Sequence, residues 1–161
     1  MNSQEIRLFA PNLICIGVDE TRSSDYSGRI WHQYQDEPIP YHNTMTLLSE
    51  MERLYNDWNF PQESTVIREF RKKNRSMEYA DKKEARPQMD AKRIQNKKGN
   101  MGTFIVHVKY RQNATWQGEV IWAEQKKKQC FRSALELLRL MDSALDEAET
   151  EAESKAEENE D

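Results

Sequence analysis

The sequence predicts an α+β domain: a duplicated ββα unit forming a pseudo-twofold, four-stranded antiparallel sheet with both helices on one face. Three observations lead there. Shifting the chain by 90 residues brings two segments into register without a gap. Each segment alternates apolar and polar residues at the period of a strand. Each then passes into an apolar stripe at helical spacing, opened by a capping residue.

In the first copy, Ile14, Cys15, Ile16 and Val18 lie on Phe104, Ile105, Val106 and Val108 of the second. Tyr26 and Gly28 lie on Trp116 and Gly118, so an aromatic two positions before glycine recurs at both hairpins. That shared part reads as scaffold, with the glycine supplying a special backbone angle. Phe104, Val106, Val108 and Tyr110 alternate with Ile105, His107, Lys109 and Arg111 as a strand. Val120 and Trp122 continue the alternation beyond the turn, and the strand runs out through Lys126-Lys127-Lys128. Asn43 can cap a helix whose Leu47, Leu48, Met51, Leu54, Tyr55 and Trp58 form one stripe, stopped by Phe60-Pro61. Ser133-Ala134-Leu135-Glu136 is a capping box opening the second helix.

The segments divide as a first repeat over 1–61, a basic flexible linker over 62–102, a second repeat over 103–146 packing with the first as one domain, and an acidic tail over 147–161. Hydrophobic residues are 37% and charged residues 32%, so part of the chain must lie outside any core. The net charge of −4 conceals segregation. Residues 68–98 hold 12 Lys/Arg against 5 Asp/Glu, and residues 146–161 hold 9 Asp/Glu against one Lys.

Little chemistry is legible. The two cysteines, Cys15 and Cys130, form no CxxC pair, which excludes a disulfide framework and points to reduced thiols in the cytoplasm. The N-terminus lacks the pattern of a signal peptide, and no apolar run reaches the roughly 20 residues that cross a bilayer, so no membrane is expected. His32, His42 and His107 lack ligand spacing and read as surface or edge residues. No phosphate-binding glycine loop occurs. The expectation is no enzyme, no metal and no cofactor.

Two binding readings remain. The open face of the sheet, with Trp31, Trp116 and Trp122, suits a protein partner or a homodimer, because tryptophans anchor interfaces. The hairpin residues Arg111, Gln112, Asn113 and Thr115, which differ from the first copy, would add specificity. The partner-binding set is therefore Trp31, Arg111, Gln112, Asn113, Thr115 and Trp122. The alternative is nucleic acid held by the linker through Arg71, Lys72, Lys73, Arg75, Lys82, Lys83, Arg86, Lys92, Arg93, Lys97 and Lys98, with Tyr79 available for stacking.

A further alternative comes from two short motifs. Arg71-Lys72-Lys73-Asn74-Arg75 is RxxxR, and Asn113-Ala114-Thr115-Trp116-Gln117-Gly118 is NxTxxG. Together they resemble the PilZ family, whose RxxxR and [DN]xSxxG motifs hold cyclic di-GMP. Thr115 stands where the family has serine. The resemblance implies a cyclic dinucleotide held by the arginines and the hairpin.

Overall fold

The computed structural model describes residues 10–23, 25–70 and 91–159. In chain order the elements are β1 (Ile14–Arg22), β2 (Asp25–His32), β3 (Gln35–Tyr41), α1 (Thr44–Trp58), α2 (Ala91–Gln95), β4 (Gly102–Tyr110), β5 (Gln117–Trp122), β6 (Lys127–Phe131) and α3 (Ala134–Glu158). All six strands join one antiparallel sheet in the order β3-β2-β1-β4-β5-β6. The fold is therefore α+β as expected, but the sheet has six strands rather than four. The missed strands are the two edges. An edge strand buries little, so β3 (QDEPIPY) and β6 (KKQCF) show no apolar alternation. Only Tyr41 and Phe131 in them are buried.

The halves carry the same devices 90 residues apart. Asn43 caps α1 by accepting Thr46 N–H at 2.8 Å, and Ser133 caps α3 by accepting Glu136 N–H at 3.0 Å. Glu136 does not close the expected capping box on Ser133; its carboxylate takes Arg132 N–H at 3.1 Å instead. Strand register slips by one residue between Val18 and Glu20 in β1 and between Val108 and Tyr110 in β4. These β-bulges twist the strand pair locally. Two side-chain bonds run crosswise between halves: Tyr26 Oη donates to Asp142, and Trp116 Nε1 donates to Glu52 at 2.9 Å.

Alternation decides which side each strand residue faces. Ile14, Ile16, Val18, Phe104, Val106, Val108, Ile30 and Val120 turn toward α1 and α3 and form the main core with Leu47, Met51, Tyr55, Leu137 and Met141. Trp116 and Trp122 lie in that core, not on an open face. The other parity, Cys15, Trp31, Ile105 and Ile121, forms a second cluster with Leu13 and Ile94.

The second cluster corrects the open-face expectation. Residues 10–13 and 91–99 cover the middle of that side. Ile94 is fully buried there, a burial worth about 2 kcal/mol. Trp31 is only 4% exposed, with the Arg29 guanidinium 4.7 Å above its ring. The covering segment is tied down by Gly99 N–H to Thr103 Oγ1 at 2.9 Å, Asn100 N–H to Asp19 at 3.0 Å and Met101 N–H to Val18 O at 2.8 Å. One apolar residue in a charged run thus makes the end of the linker part of the domain.

Candidate functional site

Three places were candidates for function: the β4–β5 hairpin, the covered sheet face with its basic segment, and the free rims of the sheet. The hairpin is mostly scaffold. Arg111 follows β4 and is buried, its side chain only 3% exposed. Its Nε donates to Pro61 O at 2.7 Å, and its Nη1 donates to Asn56 Oδ1 at 2.7 Å, Glu63 at 3.1 Å and Glu52 at 3.4 Å. Burial raises the Glu52 carboxyl above its ordinary range; the Trp116 indole N–H and Arg111 pull it back down, and the neighbouring Glu63 carboxylate pushes it up again. The guanidinium ties the chain after α1 to the hairpin, with Ser64 N–H reaching Arg111 O at 3.1 Å.

Between Glu52, Glu63, Thr65, Ile67 and Trp116 lies an open-sided hollow of about 10 Å³, room for a single water. Small-molecule pockets run from roughly 300 Å³ upward. Among the described residues the only cation lining the hollow, Arg111, already faces the carboxylates of Glu52 and Glu63 and so offers an anion no free positive charge.

The remaining hairpin residues divide. Thr115 Oγ1 accepts Ala134 N–H at 2.9 Å and so holds the start of α3. Its counterpart is Asp25, whose carboxylate accepts Thr44 N–H at 2.8 Å. Thr115 therefore has an equivalent in the first half, contrary to the sequence reading. Gln112 is exposed and pairs with Gln117 in both directions, N–H to Oε1 at 3.0 Å and Nε2 to O at 2.9 Å. Asn113 is exposed at φ 55, with Ala114 at φ 56, in the left-handed region that asparagine tolerates. Of the expected partner-binding residues, then, only Gln112 and Asn113 lie on the surface. Trp31, Trp122, Arg111 and Thr115 hold the fold.

On the basic segment, Arg71, Lys72, Lys73, Arg75, Lys82, Lys83 and Arg86, together with Tyr79, lie outside the described residues. Lys92, Arg93 and Lys98 are exposed and Lys97 is half-buried, all within the stretch that covers Trp31 and Cys15. The Lys98 carbonyl accepts from Arg29 at 3.3 Å.

His32, read as a surface residue, is buried against Trp58 with ring centroids 5.3 Å apart, and burial pulls its pKa down to about 4. Among the described residues, no cluster of His, Cys, Asp and Glu could hold a metal ion, and no helix is long and apolar enough to cross a membrane.

The rims of the sheet differ. In β3, Pro38 and Pro40 share one parity, and Pro40 stands opposite Arg29. Proline has no N–H to give and sits in a strand where that group would face away from the sheet. The outer side of β3 therefore lacks a donor at both positions. The equivalent positions in β6 are Lys128 and Cys130, with Cys130 opposite Glu119, and their N–H groups are intact. Lys127 through Cys130 are exposed, and among the described residues no segment pairs with the outer side of β6.

Beside this rim, on the side away from α3, Glu119 is shared by Lys109 at 2.9 Å and Lys128 at 3.4 Å. The Lys109 ammonium holds its carboxyl below the usual range. Sequence reasoning missed this rim, although its signal was present: the offset of 90 residues sets two prolines against a lysine and a cysteine.

The chain matches no protein-family model, curated protein or solved structure. The PilZ resemblance therefore rests on motif residues alone. Arg71 to Arg75 lie outside the described residues, and Asn113 to Gly118 belong to a hairpin of an open sheet rather than a closed barrel.

Proposed function

We propose that this protein is a small, non-enzymatic binding protein whose partner adds a strand to the outer side of β6. The unblocked β6 rim carries the reading, because the matching rim of β3 is closed by two prolines. Sheet edges left open are templates for pairing, and natural sheets block the ones they do not use. In strand addition the main chain supplies affinity and the alternating side chains supply specificity. The cytoplasm is the proposed location, since both cysteines are unpaired and Cys130 is exposed. The matched caps, bulges and crosswise bonds support an origin by duplication of a three-stranded ββ-hairpin-and-helix unit, longer by one strand than the ββα unit read from sequence.

The test is selection of displayed random peptides on the immobilised protein. Binders are expected that lose affinity for Lys128→Pro, a change that removes an outward N–H. This variant should melt within a few degrees of the parent, whereas Gln129→Pro, on the parity that faces β5, should melt much lower. Binders indifferent to Lys128→Pro would remove the β6 reading.

A second reading, nucleic-acid binding, is favoured by the exposure of Lys92, Arg93 and Lys98 along one short stretch. It requires log affinity for a random oligonucleotide to fall by about 0.7 to 0.9 per phosphate contact with log salt. It also requires tighter binding once residues 146–161, with their nine carboxylates, are deleted. Negligible affinity at physiological salt, with or without that tail, would dismiss it.

A further inference from the structure

Resting on the strand-addition reading, we infer that the β6 rim selects an extended partner segment with a carboxylate at every second residue. Side chains of a strand alternate between faces, so such a segment laid beside β6 places all its carboxylates on one face of the sheet. The face away from α3 is the one that fits them. There Lys109 and Lys128 share the single carboxylate of Glu119, which leaves one positive charge over. Half-buried His107, directly across from Glu119 in the β4–β5 register, brings no further carboxylate. Burial, and next Lys109, keep its imidazole neutral to lower pH than usual.

The opposite face runs the other way. Lys127 Nζ already lies 3.4 Å from Glu147 of α3, and the end of that helix is acidic. Carboxylates on that face would meet Glu147 and Glu151, so one alternate set is favoured over an acidic tract.

A second copy of this chain fits the rim less well. Antiparallel pairing of β6 with itself about Gln129 would gather two Lys109, two Lys128 and only two Glu119 on one face. Lysines on an edge strand are a device against self-pairing.

Cys130 sits on the rim and reports on its occupancy, because Cys15 is fully buried and burial pushes its thiol up to about 12. The probes are short synthetic peptides alternating valine with glutamate, with threonine or with lysine. The glutamate peptide is expected to bind about two- to five-fold more tightly than the threonine peptide, given one cross-strand charge pair at Lys128, and to slow alkylation of Cys130 by iodoacetamide. Lys128→Glu, an exposed change checked for folding by circular dichroism, is expected to transfer the preference to the lysine peptide.

Equal binding of all three peptides, each protecting Cys130, would overturn the charge selection while leaving strand addition standing. Failure of every peptide to protect Cys130, with no displayed peptide sensitive to Lys128→Pro, would overturn both. A dimer that Lys128→Pro converts to monomer would make the second copy the occupant and overturn the inference.

Discussion

Gly118→Val is expected to leave no folded protein, and Gly118→Ala to do almost the same. A Cβ on Gly118 would sit 1.9 Å from the carbonyl oxygen of His107, 2.9 Å from its carbon and 3.0 Å from the Val108 Cα. All three are backbone atoms of the neighbouring strand, so no side chain can turn aside. Gly118 pairs with Val108, the last register position before the β4 bulge, where the strands are drawn together. Gly28 repeats the arrangement, its Cβ falling 1.9 Å from Gly17 O. Relief would require parting β4 from β5 next to the centre of the sheet. Ordinary overpacking of a core costs about 1–3 kcal/mol, and separating the ladder would exceed that in a domain stable by about 5–15 kcal/mol.

The sequence suggested a glycine needed for a positive backbone angle, and there alanine would cost only about 1–2 kcal/mol. No glycine among the described residues has positive φ. Thermal unfolding followed by circular dichroism decides the matter. A Gly118→Ala melt within a few degrees of the parent would show that the close approach is not what requires glycine.

Arg111→Met should destabilise the protein by about 3–5 kcal/mol at neutral pH, the usual cost of breaking a buried ion pair by removing one partner. The guanidinium satisfies Pro61 O, Asn56, Glu63 and Glu52 at once, and no other cation contacts those carboxylates among the described residues. The Glu52 carboxyl is already raised in the folded protein by burial. A carboxyl whose folded pKa lies above its unfolded one binds more protons when folded. Its charged form therefore weakens the fold as pH rises through the folded pKa, and acidification relieves the penalty. Removing Arg111 takes away a group that lowers this pKa, so the folded carboxyl moves higher still. The loss in Arg111→Met should accordingly be greatest near pH 7 and shrink toward about pH 5. Adding Glu52→Gln should recover part of it. Urea denaturation at both pH values measures this, and an equal cost at each would show that the arginine does not compensate Glu52.

Much of the fold was legible because it follows from neighbours in sequence. Asn43 and Ser133 announce two helices through caps that act within three residues. The alternation of Phe104, Val106 and Val108 announces a central strand, because burial on one face repeats every second residue. The offset of 90 residues carried the pairing of Gly28 with Gly118 and of Asn43 with Ser133. Those readings determined the α+β class, both long helices and the four inner strands.

What the tertiary structure alone decided concerns contacts between residues far apart in the chain. Lys127 to Phe131 read as a lysine-rich exit, and only pairing with β5 makes them a strand and an open rim. Ile94 is a single apolar residue in a basic run, and only the face of Trp31 and Cys15 gives it something to bury against. Arg111 reads as a surface charge at a hairpin, and only the fold brings Glu52, Asn56 and Glu63 around it. Periodicity and capping are local energies that a sequence displays directly. Burial and charge compensation depend on which distant segment arrives, and that is settled only when the whole chain has packed.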